Sequence, residues 1–564
     1  MGVAAIAAAM LLAAWASARA AGPIDYEPAK ECFARAAAAE LERGILPGFS
    51  IAWVVDGEIV HAAGFGQADW QRGVPATTET IYRAGSISKM FSAVGAVQLA
   101  EKGLLDLDAP IQQALPDFSI EVPFERAAPI TIRQLLCHRS GMIREAPLGG
   151  YLDSGQPTVE ATLQSVAACA LVNPPNTKTR YSNVGPTIVG RAVEVQSGLS
   201  FAEYQGRNVL GPLGMTSSAW AMNASLRPRL AKGRMRIARG DGGYDFEVAP
   251  EFELGTIPAG NLYTTARDLA RFAAFLMSGE ESGELVPPLV NPASLEMMYT
   301  PQLIDESTGF GLGFYVGEHG GHKTVRHNGA VYGFSSSLVV LPAERIGVVV
   351  LSNCDIASGR VMPLVDLALD LLLKTVRSET MPEAPKTIEL PSEELARFAG
   401  EYESTSFWAR LEVDGNELVG ELSGQPIRLT PTAPRKLLAN GRIMYRSPFE
   451  FERNEDGSVN VFIAAGQRFD RVDKSKTPRA PEAWNAWVGK YGPPFIPLVI
   501  SIRHGHLYAT VENEYDYRLT PLNRVTFMLP PGMYADEQIV FQTDDGGKVL
   551  GAVMANQYLP RRAQ

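Results

Sequence analysis

The stretch Ala84-Gly85-Ser86-Ile87-Ser88-Lys89-Met90-Phe91 carries a Ser-x-x-Lys, and the residues after it read as a helix. Met90, Phe91, Val94, Val97 and Leu99 recur at helical spacing from Ser88 onward, and Gly103 is a natural stop. If Ser86 opens that helix, Lys89 lies one turn on, on the same face. A serine hydroxyl is a poor nucleophile at neutral pH and needs a base to take its proton. The Lys89 amine is placed to be that base. Two further partners lie downstream: Tyr181-Ser182-Asn183, the single Tyr-x-Asn of the chain, and His327-Asn328-Gly329, on an expected strand.

The 564 residues are 46% apolar and 20% charged, a globular composition too long for one core, which predicts two to four domains. A net charge of -11 argues against nucleic acid and anionic membranes as main partners. Phosphate-cradling loops, His-Glu-x-x-His and Cys-x-x-Cys are missing from the sequence, so no cofactor and no metal are implied. Cys32, Cys137, Cys169 and Cys354 each sit among apolar residues and read as buried free thiols. Val3 to Trp15 is an apolar run, and Ala18-Arg19-Ala20 offers a small-x-small cleavage site, so residues 1–20 read as a signal peptide. The expectation is a periplasmic or secreted protein with no membrane span once the signal is removed.

Outward from Ser86, a helix is expected over Ala29 to Gly44. Gly48 to Val55 and Glu58 to Ala62 flank an Asp56-Gly57 hairpin turn. Ser86 to Gly279 reads as mostly helical with long loops. Strands are expected at Phe310 to Gly317, Lys323 to His327, Gly333 to Leu341 and Ile346 to Ser352, then a helix over Val361 to Val376. Helices between an early hairpin and late strands predict a sheet that closes over a helical lobe. Two Pro- and charge-rich linkers come next, and the segments beyond them repeat. Phe398-Ala399-Gly400-Glu401-Tyr402 matches Trp487-Val488-Gly489-Lys490-Tyr491, and Arg428-Leu429-Thr430-Pro431 recurs as Arg518-Leu519-Thr520-Pro521, at an offset of 89 to 90. Short alternating runs broken by Gly, Asn and Asp fit a small antiparallel barrel in each copy.

With these motifs in this order, the chain resembles the penicillin-recognising serine hydrolases: serine β-lactamases, D-Ala-D-Ala carboxypeptidases and related peptidases and esterases. The resemblance runs from about Gly44 to Lys374 and includes Thr131 to Met142, Pro212 to Met215 and Pro258 to Ala270. It implies an α/β (α+β) class: a β-lactamase-like transpeptidase fold with an antiparallel sheet and a helical lobe, plus two small antiparallel β-barrels. The implied division is a catalytic domain over 21–378, a linker over 379–392, a first lipocalin-like barrel over 393–474, a linker over 475–483 and a second barrel over 484–564. That architecture is similar to bacterial D-aminopeptidases, in which a loop of the last barrel enters the catalytic cleft. His504-Gly505-His506 and the Glu512-Asn513-Glu514 turn are the candidates here.

The resemblance also implies roles. Ser86 is acylated, Lys89 removes its proton, and Tyr181 shuttles protons to the leaving group and from the hydrolytic water. Asn183 donates its side-chain amide to a substrate carbonyl, and the N–H groups of Ser86 and Ala330, with Gly329 beside them, hold the oxyanion. The third motif departs from the Lys-Thr-Gly of β-lactamases, because His327 is not a permanent cation. That disfavours substrates with a carboxylate there. His319-Gly320-Gly321 is a competing His-x-Gly, placed in a turn. His138 reads as structural, and Thr265 with Asp268 as a capping box. No carboxylate is assigned as a base.

Three functions stay open. The first is a serine peptidase or amidohydrolase acting on small peptides with D- or non-standard residues, akin to D-aminopeptidases or to peptidases of linearised microcystin. The second is a carboxylesterase on the same scaffold. The third is a β-lactamase or D,D-carboxypeptidase, or a non-catalytic binder of cell-wall peptides. The partner is a small peptide or ester substrate, and an oligomer is compatible with the sequence.

Overall fold

Gly48–Val55 (β1) is buried along its whole length, which explains why it is apolar without alternation. Phe49, Ile51, Trp53 and Val55 face the helices Glu27–Glu42 (α1) and Ser358–Arg377 (α5), while Ala52 and Val54 face the opposite core. The Asp56-Gly57 turn, with φ of 51° and 87°, carries β1 into Glu58–Asp69 (β2). Both angles are positive, the geometry that matches the twist of a two-residue hairpin.

In the computed structural model, residues 24–238, 244–278, 287–302, 308–380, 386–532 and 534–563 are described. The expected signal segment and residues 381–385 of the expected linker lie outside them. Val74–Pro75 (β3), Gly309–Phe310 (β4), Tyr315–His319 (β5), His322–Val331 (β6), Phe334–Leu341 (β7) and Ile346–Ser352 (β8) complete an eight-stranded sheet in the order β3-β2-β1-β8-β7-β6-β5-β4. Its second face packs against Ala266–Leu276 (α4), and Ser88–Glu101 (α2) and Val184–Ser197 (α3), packed on each other, extend the same apolar cluster. The fold class read from the sequence holds.

Two strand boundaries differ from expectation. The single strand expected over Phe310 to Gly317 is two, because Gly311 and Gly313 (φ 81°) turn the chain, with the Gly311 N–H donating to Phe314 O at 2.8 Å. The strand expected to end at His327 continues to Val331, so the whole His327-Asn328-Gly329-Ala330 segment lies on β6. Thr265 caps α4 by accepting from the Asp268 N–H at 3.1 Å, but the Asp268 carboxylate accepts instead from the Ser217 N–H and Ser218 Oγ. The capping box is half formed.

The first repeat closes as an eight-stranded barrel around its own core. The second keeps the strand succession but forms two sheets, because the counterpart of Gln425–Ala433 breaks at Leu519 into Asp516–Arg518 and Thr520–Pro521. Its outer strands meet at a Tyr491–Arg561 bridge. The matched Gly-x-Tyr segments do the same work in both copies. Tyr402 Oη donates to Phe398 O at 2.9 Å and Tyr491 Oη to Trp487 O at 2.6 Å, under Arg471 and Arg561 respectively. Unlike the first barrel, the second repeat shares its apolar cluster with the helical lobe, with Phe495 against Phe252 and Tyr332.

The sheet positions Ser86 through glycines. A Cβ on Gly329 would stand 2.0 Å from Ala84 O and 2.3 Å from Ser336 Oγ, so no larger residue lets β6 lie this close to the Ser86 turn. Gly329→Ala is therefore expected to destabilise the fold by about 1–3 kcal/mol, as overpacking does. It should also slow fluorophosphonate labelling of Ser86. Calorimetry and a labelling time course check both effects, and wild-type behaviour in both would refute the close-packing argument.

Candidate active site

Ser86 lies in a single 3-10 turn, Gly85–Ile87, that runs directly into α2. Gly85 holds φ at 55°, and a Cβ there would come within 2.8 Å of Ala330 N. The sequence reading of Ser86 as helix opener is correct, but Ser88 carries the local bonding: its Oγ donates to Gly85 O at 2.7 Å and accepts from the Leu262 N–H at 3.1 Å. Ser86 Oγ is left to the cleft.

Lys89 is 1% exposed. Its Nζ lies 2.7 Å from Asn183 Oδ1, 2.8 Å from Ala259 O and 3.1 Å from Ser86 Oγ, and stands 4.8 Å from the centre of the Tyr181 ring. Burial pushes the amine's pKa well below its ordinary value; the Glu145 carboxylate opposes that and the Arg144 guanidinium adds to it. A neutral amine has two N–H bonds and one lone pair. With Asn183 Oδ1 and Ala259 O taking the two N–H bonds, the lone pair is left to face the Ser86 hydroxyl.

Tyr181 is held by the buried His138, whose ring lies 4.4 Å from its own and whose Nδ1 accepts from the Ser182 N–H at 3.2 Å. His138 thus has the structural part expected of it. Burial raises the Tyr181 phenol above its ordinary pKa, against the lowering effect of its contact with Ser86, so the group remains a protonated donor at neutral pH. His327 is 6% exposed, and its Nδ1 lies 2.6 Å from Asn328 O. Burial, and then the Lys89 charge, lowers its pKa to about 3. Its ring is therefore neutral, with Nδ1–H donating to that carbonyl and a bare, buried Nε2 facing the cleft. The rival His319 is held by Asp370, 2.7 Å from its Nε2, away from the cleft.

The backbone of β6 supplies a donor. The two-residue turn Tyr332-Gly333 makes Val331 and Phe334 a hydrogen-bonded pair, so Ala330 and Ser335 form a non-bonded pair. The Ala330 N–H then points away from β7, toward an edge that β5 covers only from His322 to Arg326. That edge borders Ser86. Ser86, Tyr181, Asn183, His327, Gly329 and Ala330 line one cavity of about 440 Å³, with Lys89 beneath them.

The sequence reading gave no part to Glu145 or Arg144, whereas the Glu512-Asn513-Glu514 turn it named as a loop candidate does line the cavity. Glu145 is fully buried; one Asn183 N–H donates to its Oε1 and the Tyr151 N–H to its Oε2 at 3.1 Å. The Asn183 amide is thus engaged by Glu145 and Lys89, and the expected donation to substrate is left to its second N–H. Burial pushes Glu145 up to about 7. Glu512 and Glu514, on the turn between His506–Thr510 and Asp516–Arg518, line the same cavity. Arg144 joins them, 3.5 Å from Glu512 and 3.6 Å from Glu145, and the Tyr534 hydroxyl donates to Glu512. His504, the other loop candidate, is instead tied to Glu401 and Glu403 of the first barrel. Arg326, next to the motif histidine, borders the cavity as a cation over the Tyr315 ring.

A family model described as Beta-lactamase matches residues 33–370. Penicillin-binding protein 4 of Amycolatopsis lactamdurans is 31% identical over 373 residues, 64% of this chain and 93% of that protein. Beta-lactamase-like protein 2 of Dictyostelium discoideum is 28% identical over 265 residues, and the chain spans 46% of its length. The structure of the octameric penicillin-binding protein homologue from Pyrococcus abyssi is similar with a TM-score of 0.56 at 24% identity, over 78% of this chain and 99% of that one. The D-amino acid amidase from Ochrobactrum anthropi SV3, complexed with D-phenylalanine, is similar with a TM-score of 0.51 at 22% identity, over 61% and 99%. At such identities the structural likeness speaks for the fold.

The Glu145 charge favours the protonated form of Lys89, so removing it lowers the amine's pKa further. In Glu145→Gln, the acid limb of the pH profile for Ser86 labelling should move to lower pH. A limb that stays in place would show that Glu145 does not act on Lys89.

Proposed function

Because the chain belongs to the beta-lactamase family, we propose that it is a serine hydrolase that cleaves small peptides or amides through an acyl-enzyme on Ser86. The observation that carries this reading is the Lys89 amine, buried and fixed by two acceptors with Ser86 Oγ 3.1 Å away. In the neutral form it takes the hydroxyl proton as Ser86 Oγ attacks the carbonyl carbon. The developing oxyanion lies against the N–H groups of Ser86 and Ala330, donors worth about 3–4 kcal/mol each in comparable sites. Tyr181, kept protonated by burial, passes a proton to the leaving amine and regains it from Lys89. Water then attacks the ester by the same path in reverse.

The cavity favours a particular substrate end. Glu514 is half-buried, and burial followed by the Glu512 charge pushes it up to about 8. An ammonium arriving beside it would restore its charge, because an opposite charge favours the ionised form. A neutral His327 offers no positive charge to a carboxylate at the position where β-lactamases have a lysine. These features support a peptidase for short substrates with a free amino terminus, including those with D- or non-standard residues. An exported location is part of the same proposal, on the strength of Val3 to Trp15 and Ala18-Arg19-Ala20. Among the described residues, no helix is long and apolar enough to cross a membrane.

Hydrolysis of D-alanine p-nitroanilide, L-alanine p-nitroanilide, their N-acetyl forms and p-nitrophenyl butyrate tests the reading. Ser86→Ala should abolish turnover without unfolding, and Lys89→Ala and Tyr181→Phe should each cost orders of magnitude. Glu514→Gln should lower kcat/KM for free-amine substrates by about 10- to 100-fold, as expected for losing a charge-assisted hydrogen bond. It should leave the N-acetyl forms unchanged. Turnover retained in Ser86→Ala would rule out the acyl-enzyme, and activity confined to the butyrate would make the protein an esterase.

A further inference from the structure

A second cavity, of about 470 Å³, lies between the catalytic lobe and the first barrel. In a protein of net charge -11, it is lined by Arg43, Arg234, Arg236, Arg360, Arg428 and Arg442. Among the described residues, the carboxylates that answer them are few. Glu40 is shared between Arg43, at 3.2 Å, and Arg360, at 3.6 Å, and Glu417 pairs with Arg428. Asp355 also lines the cavity, with one buried oxygen unpartnered. Glu421 and Asp516 add negative charge near Arg236, and Glu421 is itself paired with Arg410 at 3.4 Å, so the six guanidinium groups still outnumber the carboxylates that answer them.

Arg234, Arg236 and Arg442 are fixed in place by neutral groups. Arg236 donates to Gln425 Oε1 at 3.0 Å and Gly424 O at 3.2 Å. Arg442 donates to Gln425 Oε1, to Asp355 O and to Asn513 O, at 3.2, 3.1 and 2.7 Å. Arg234 donates to Gly44 O at 2.8 Å, and its buried Nε has no partner. Such contacts orient the guanidinium groups without cancelling their charge. Burial, and then the neighbouring Arg442 charge, lowers Arg236 to about 10, against the opposing effects of Tyr244, Glu421 and Asp516. Tyr244 and Phe246, 40% and 47% exposed, form an aromatic wall beneath Arg236 and Arg234, at 3.9 and 4.4 Å from guanidinium carbon to ring centre.

We propose that this interdomain cavity is a binding site for a multiply charged oxyanion, carried either by a phosphate ester or by a polycarboxylate. Guanidinium forks suit both, since each presents paired oxygens for bidentate hydrogen bonds. The site is separate from the catalytic cavity, although Arg442 also holds the turn that bears Glu512 and Glu514.

Isothermal titration of the full-length protein at constant ionic strength, with pyrophosphate, phenyl phosphate and citrate, tests the assignment. One-to-one binding with a Kd below about 1 mM is expected for at least one probe. It should weaken at least about tenfold in Arg236→Gln/Arg428→Gln and stay unchanged in Arg326→Gln, which alters the catalytic cavity instead. Should the double variant fail to fold, Arg43→Gln, at a half-exposed helix end, must still weaken binding severalfold. A preference for the phosphates or for citrate identifies the source of the oxyanion, and equal binding means that charge alone is read. No saturable binding, affinities equal in all variants, or loss only in Arg326→Gln would overturn the proposal.

Discussion

A primary amine sealed from water sets the terms for this architecture. Burying a charged ammonium costs several kcal/mol even after the protein relaxes, while a neutral amine needs only partners for its N–H bonds. Lys89 has those partners in Asn183 Oδ1 and Ala259 O, and the lobe around it keeps water out. Every residue from Ser88 to Leu99 is buried, so α2 is a helix with no solvent face. Three glycines bring other chain segments against its start. A Cβ on Gly85, Gly313 or Gly329 would meet Ala330 N, Ala93 Cβ or Ala84 O at 2.8, 2.5 or 2.0 Å. The catalytic potential of Ser86 and the packing of the helical lobe are thus one constraint.

Electrostatics ties that constraint to the far end of the chain. Arg144 is buried between Glu145 of its own lobe and Glu512 of the second repeat, and these charges keep its pKa raised despite burial. Removing one partner from a buried ion pair typically costs about 3–5 kcal/mol, because the other charge is left stranded. Arg180 adds a second such tie, 2.8 Å from Glu537, and Gln557 donates to Ala146 O at 2.7 Å. The second repeat is therefore fastened to the cleft wall by buried polar contacts as well as by a shared apolar cluster.

The parts of this arrangement that were legible in the sequence are those with local signatures. Helical periodicity after Ser86, the Asp56-Gly57 turn and the two Gly-x-Tyr segments each announce a backbone geometry, and all of them formed. Ser86, Lys89, Tyr181 and His327 were found because their order and spacing carry chemistry, and the fold brings them to one cavity. Glu145 and Arg144 were invisible for the opposite reason. They sit in a loop without periodicity, and their roles come from burial and from a partner more than three hundred residues away. A long-range ion pair leaves no mark on local composition. The Glu512-Asn513-Glu514 turn was named from the family resemblance and not from spacing, because its reach into the cleft depends on how one repeat docks.

The duplication itself explains how that reach arose. In the first copy, the turn between Glu417–Leu422 and Gln425–Ala433 is the two residues Ser423-Gly424, with φ of 44° and 80°. Its counterpart in the second copy spans Val511 to Tyr515, between Thr510 and Asp516. The two turns touch: the Asp516 N–H donates to Ser423 O at 3.1 Å, and Trp408 Nε1 donates to Asp516 Oδ2 at 2.9 Å. Glu512 and Asn513, both at positive φ, bend the longer loop away from the barrel and into the catalytic cavity. Neither is glycine, so that shape is held by tertiary contacts, chiefly Arg442 and Gln425 from the first copy and Arg144 from the catalytic lobe. The tight turn of one copy thus serves as the abutment for the extended turn of the other, and a self-contained barrel beside the Ser86 cavity becomes necessary to hold acidic groups inside it.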